Sequence, residues 1–182
     1  MLPACGPTGS GELVTEDRDV GEFDSIEVSG GIELRLTVDP NLATSVTVTY
    51  DDNIIDRIVT EVDDSTLRIE SRGSFSIFGG GGRFVEVSVA SLQGLAASGG
   101  TEVTGEGASD VLDLNASGGT DVDLALLTVG EMTIRASCGA DVTVNVSDSI
   151  TVVASGGADV VIHGDPPGQS VGVSGGADVT NG

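Results

Sequence analysis

The chain has 182 residues, enough for one large domain or two small ones with a sizeable core. Its 29 acidic residues against 7 basic ones, all arginine, give a net charge of −22. That balance excludes a nucleic-acid ligand and electrostatic attraction to anionic lipid, because nothing is left to neutralise phosphate. Aromatic residues make up 3% and apolar residues 38%, with 28 glycines, which marks an all-β chain with many turns rather than a disordered polyelectrolyte.

No apolar run reaches the roughly 18–20 residues that cross a bilayer as a helix. At the start, Leu2-Pro3-Ala4-Cys5 has the form of a bacterial lipobox: a leucine, a small residue, and the cysteine that receives the lipid. The basic and hydrophobic regions expected upstream are missing, so Met1 reads as the start of a trimmed chain. Residues 6–19 are small, polar and acidic, as a tether is. Cys5 is thus an expected lipidation site, which leaves Cys138 alone and implies no disulfide framework. Residues 1–19 are assigned to this lipobox remnant and acidic tether, and residues 20–182 to one domain.

Alternating apolar and polar residues predict strands at 23–28, 32–38, 45–50, 58–62, 66–71 and 84–89. Turn signals separate them at Asp39-Pro40-Asn41, Asp51-Asp52-Asn53 and Asp63-Asp64, with one short helical turn at 53–57. Residues 73–83 join Phe75, Ile77 and Phe78 to four consecutive glycines. That loop is expected either to cap the fold or to form a partner-binding tip; it lacks the lysine and following Ser/Thr of a phosphate loop.

From residue 91 the chain repeats. Ser-Gly-Gly or Ser-Cys-Gly triplets begin at Ser29, Ser98, Ser117, Ser137, Ser155 and Ser174, the last four intervals being 19, 20, 18 and 19 residues. Counting from each serine, apolar residues fill positions −3, −1 and +5 in every copy, and some copies extend this to +7 and +9, as in Leu124 and Leu126. This period of two on both sides of a turn reads strand, tight turn, strand. One unit cannot bury its apolar face alone, so the units must stack. The expected fold is all-β, a single-domain parallel β-helix with about 19 residues per coil, right-handed winding being favoured. Coils 20–90 are expected to be longer and irregular, and coils 91–182 regular. Position +2 is glycine in all six copies and is expected at positive φ. Position +1 is glycine except at Cys138, whose odd parity predicts an inward, buried side chain.

Position +4 is acidic throughout: Glu33, Glu102, Asp121, Asp141, Asp159 and Asp178. Its even parity places it outside. Stacked carboxylates about 4.8 Å apart repel by roughly 1 kcal/mol in bulk-like dielectric. Two readings are open. Each carboxylate accepts backbone N–H bonds at its own turn, or hard cations, calcium above all, are shared along a ladder formed by Glu102, Asp121, Asp141, Asp159 and Asp178. The nonapeptide repeat of calcium-binding β-rolls is not present.

The opening VTEDRDVGEFDSIEVSGGIELRLTV, the middle DDNIIDRIVTEVDDSTLRIES and the run of SGGxDV turns resemble the bacterial family named putative auto-transporter adhesin, head GIN domain. The resemblance spans about residues 12–179, with SGGAD at corners where the family usually has SGSGD. It implies an extracytoplasmic right-handed β-helix of the bacterial cell envelope, often lipid-anchored or otherwise membrane-tethered, and supplies no catalytic or binding residues to carry over.

Three functions are open to such a chain. The first is a non-catalytic, adhesin-like envelope protein whose acidic surface contacts an envelope protein or surface component, with membrane contact only through Cys5. The second is a calcium- or glycan-binding module; its glycan half is weak, since residues 85–182 hold no aromatic platform. The third is a polysaccharide-processing enzyme, for which the repeats offer one arginine, Arg135, and one histidine, His163, the latter of solvent-facing parity. The first is the expected function, with no catalytic residues and no cofactor beyond the calcium option.

Overall fold

A computed structural model describes residues 6–77 and 81–182. Fourteen strands join in a single curled sheet. The first half carries β1 (Leu13–Asp17), β2 (Ser25–Ser29), β3 (Glu33–Val38), β4 (Ser45–Asp51), β5 (Ile58–Asp63), β6 (Thr66–Ser71) and β7 (Phe84–Val89). A 3-10 turn at Ile55–Arg57 falls where the helical turn was expected. The second half carries β8 (Gly94–Ser98), β9 (Glu102–Ser117), β10 (Asp121–Ser137), β11 (Asp141–Ala154), β12 (Asp159–His163), β13 (Gly168–Val173) and β14 (Asp178–Asn181).

The sheet has two arms that meet at the Ser-Gly-Gly turns. One arm runs β1-β4-β7-β3-β9-β10-β11-β12-β14; the other runs β5-β6-β2-β8 and continues through the C-terminal parts of β9, β10 and β11 to β13. Neighbours are parallel except for β1–β4, β4–β7 and β5–β6. This corrects the expected single-domain parallel β-helix: the fold is a curled, mixed parallel and antiparallel sheet. Two physical causes are visible. Strands β9, β10 and β11 run 16, 17 and 14 residues unbroken, so one strand serves both arms where separate coil faces were expected. In the first half, Asp64 and Ser65 at φ 47° and 64° form a primed turn, whose twist matches an antiparallel hairpin and folds β5 back on β6.

Alternation decides the core. Ile26, Leu95, Leu114, Ile134 and Val152 at position −3 are at most 1% exposed, and Leu34, Val103, Val122, Val142 and Val160 at +5 at most 2%. At the last copy the columns run out: Val171 and Val173 are 45% and 47% exposed, because β13 pairs with β11 and β14 with β12 and nothing among the described residues covers them. Two inward assignments fail. Leu126 is 75% exposed, since register slips between Leu124 and Thr128 and gives the core position to Leu127. Cys138 is exposed, because it sits at φ 56° and the turn's left-handed backbone breaks strand parity.

Part of the acidic 1–19 segment is built into the sheet. Beyond β1 itself, Gly9 N donates to Ser76 O at 2.9 Å and Ser76 N to Pro7 O at 3.1 Å. Cys5 and Phe78 lie outside the described residues.

Candidate functional site

Each repeat reverses direction with two successive left-handed residues after its serine: Gly118 and Gly119 at φ 73° and 69°, Cys138 and Gly139 at 56° and 72°, and likewise in the other copies. The two positions need glycine for different reasons. At +1 the backbone of adjacent turns is close, so that a Cβ on Gly175 would lie 3.0 Å from Gly156 N. At +2 a Cβ on Gly139 or Gly157 would meet nothing within 4 Å, so only the positive φ asks for glycine there. Stacked turns are tied through the backbone, as by Gly119 N to Cys138 O and Gly139 N to Gly156 O, both 3.1 Å.

These ties align the strands that leave the turns. Glu33 pairs with Glu102, Glu102 with Asp121, Asp121 with Asp141, Asp141 with Asp159, and Asp159 with Asp178. All six carboxylates thus stand in one row on the outer face, successive members one strand spacing apart, about 4.8 Å. Among the described residues only the first has a cation: Arg35 holds Glu33 Oε1 at 2.9 and 2.8 Å and lays its guanidinium 3.8 Å from the Phe84 ring centroid. Asp178 accepts from Val179 N at 3.0 Å. The carboxylates of Glu102, Asp121, Asp141 and Asp159 make no hydrogen bond or ion pair among the described residues, so a carboxylate that accepts a nearby backbone N–H is seen at Asp178 alone. Arg135, the one arginine of the repeats, is spent on Asp113 in the other arm at 3.0 and 3.2 Å. The row is linear, and among the described residues no three His, Cys, Asp or Glu side chains converge to enclose a metal ion. The row is a strip of negative charge on the solvent-facing side of the sheet.

A second constellation was not foreseen. Asp51, at the end of β4, is fully buried, and Arg83, 9% exposed, clamps it: Nε bonds Oδ2, and NH2 bonds Oδ1 at 3.0 Å. Gly11 N adds a bond to Oδ1 at 2.7 Å. The Arg83 bond holds the Asp51 carboxyl down at about 2, and the carboxylate in turn raises the guanidinium. Beside them burial, with the Glu33 charge second, pushes the Tyr50 hydroxyl up to about 12. Tyr50, Arg83, Glu33, Glu102 and Ile77 border a hollow of about 240 Å³. Next to it, the turn 51–53 is strapped to the N-terminal segment: Asp52 N donates to Glu12 O at 2.9 Å, Asn53 Nδ2 to Thr8 O at 2.8 Å, and Ser10 N to Asn53 Oδ1 at 3.0 Å. Read locally, Asp51-Asp52-Asn53 is only a turn; its partners lie about 30 to 45 residues away, and no local pattern announces them. At the bend opposite the turns, a groove of about 670 Å³ runs over Leu92 and Ala108 between Asp110 and Asp148.

Comparison with known proteins places this geometry. The sequence profile of the family described as putative auto-transporter adhesin, head GIN domain, matches residues 22–129 and again residues 95–166. A crystal structure of a putative adhesin from Bacteroides fragilis is similar at 20% identity and a TM-score of 0.58, over 96% of this chain and 99% of that one. A putative adhesin from Parabacteroides merdae matches at 14% identity and a TM-score of 0.46, over 96% of this chain and 98% of that one. A putative cell adhesion protein from Clostridium sporogenes matches at 11% and 0.45, over 93% and 98%. No curated protein matches.

Proposed function

The chain belongs to the putative auto-transporter adhesin, head GIN domain family, and from that premise we propose that it is a non-catalytic, adhesin-like protein of the bacterial cell envelope that holds an envelope or surface component through its acidic row. The observation that carries this reading is the in-register alignment of Glu102, Asp121, Asp141, Asp159 and Asp178 without a neutralising side chain, on a chain of net charge −22. A strip of like charge one strand apart destabilises its own fold; a partner that brings positive charge removes the repulsion as it binds. A second reading rests on the same lack of an internal cation: calcium bridges neighbouring carboxylates along the row.

The test is attachment. The chain is displayed on a non-adherent bacterium, beside a variant carrying E102Q, D121N, D141N, D159N and D178N, and adhesion to amine-coated, uncharged and host-matrix surfaces is counted. Adhesion by the displayed chain and its loss in the variant are expected. Display that adds nothing over the empty carrier, or a variant that adheres equally well, overturns the proposal.

A further inference from the structure

Resting on the reading of Cys5 as the lipid-anchor site, we infer that segment 74–77, together with Leu13, lies on the bilayer surface, so that the fold sits directly on lipid with no free tether between them. The argument starts from Gly6, the residue after Cys5. Gly6 is pressed so closely on Ser74 that a Cβ there would fall 1.5 Å from the Ser74 carbonyl oxygen. The next residues stay docked: Thr8 bridges Ser76, Gly9 N bonds Ser76 O, and Ser10 Oγ reaches Asp52 Oδ1 at 2.5 Å. Consecutive Cα atoms are about 3.8 Å apart. A lipid on Cys5 therefore enters the membrane beside Ser74, whatever the acidic composition of residues 6–19 suggests about reach.

The surface at that point is suited to lipid. Ile77 is 39% exposed and Leu13 45% exposed, and Leu13 Cδ1 lies 3.1 Å from a Cβ built on Gly82, on the far side of the same loop. Phe75 packs half-buried against the core. Large apolar side chains exposed on a chain with so few aromatics lose contact with water when they meet acyl chains, each gaining in proportion to the area covered. The attraction is apolar: at a net charge of −22 the protein is repelled by anionic headgroups, so neutral phosphatidylcholine is the matching surface. The diacylglyceryl group a lipobox cysteine receives carries two acyl chains and anchors by itself; the apolar contact beside it sets which face of the fold meets the bilayer.

The chain has no tryptophan, which supplies the experiment. In a Cys138→Gly background, Cys5 is coupled chemically to a maleimide lipid in phosphatidylcholine vesicles, and Ile77→Trp, Leu13→Trp and Leu126→Trp are compared one at a time. Leu126 is 75% exposed and lies in β10, away from the anchor. Brominated phosphatidylcholine is expected to quench most of the emission of I77W and little of L126W. Equal quenching of I77W and L126W on vesicles with coupling verified overturns the inference; L13W reports on the same surface where I77W does not fold. Mass spectrometry of Cys5 in the native, membrane-derived protein tests the anchor reading separately, so failure of either is told from failure of the other.

Discussion

Thr101 and Thr120 occupy the same place in successive repeats, three residues after the turn serine, and each is 1% exposed. Thr101 Oγ1 donates to Ser98 O at 2.7 Å, whereas Thr120 Oγ1 is buried without a partner among the described residues. An unsatisfied buried hydroxyl costs about 1–3 kcal/mol. Thr120→Val, which keeps the shape, is therefore expected to raise the unfolding free energy by about 1 kcal/mol, and Thr101→Val to lower it, both read from urea melts. Asp51 works in the opposite sense. Its carboxyl titrates at about 2 when folded against 3.8 when free, so its stabilisation is complete above pH 4 and is lost as pH falls from about 4 to 2. Asp51→Asn removes the buried negative charge that faces Nε and NH2 of Arg83, which is expected to cost about 3 kcal/mol at pH 7. Below pH 3 the gap between variant and parent should narrow, a trend that thermal melts across the acid range will check. The sequence made Asp51 legible only as the first residue of a turn after a strand, while the burial of its charge depends on an arginine 32 residues further on, which no spacing rule reaches.

Elements follow the sequence closely where one repeat neighbours another. The six strands expected in the first half lie within about two residues of β2 to β7, and all six +2 glycines have positive φ. What alternation cannot encode is the direction of the neighbour: Val46 and Val48 of β4 are buried as their pattern requires, yet they pair with β7 antiparallel. Nor does it encode where register slips, which is why Leu126 and Leu127 exchange faces. The row of acids was legible because it rides on the turn; its lack of internal partners was not, because that depends on where the arginines fold to. The columns predict a graded response. Ile134→Ala, in the middle of the stack, is expected to cost 2–5 kcal/mol, as buried aliphatic truncations do. Val171→Ala, in the same column at the uncovered end, should cost less than about 0.5 kcal/mol. Equal losses for both in denaturant melts would mean that the end strand is covered in solution.

For the whole molecule, the charge decides which conditions matter. A melt followed by circular dichroism in EDTA and then in millimolar calcium, with magnesium as control, separates the two readings of the row. A rise of several degrees specific to calcium is expected if ions bridge the carboxylates, since a ligand that binds only the folded state stabilises it. Equal shifts with both cations leave screening as the only effect. The constant register has one more consequence. Removing residues 138–155 joins Ser137 to Gly156 and Gly157, restoring the turn triplet and bringing every column of β12 and β13 onto its counterpart in β10. A gain or loss of one whole repeat between the near-identical turn triplets thus still leaves a foldable chain, so the length of the acidic face is a quantity that can change in single steps.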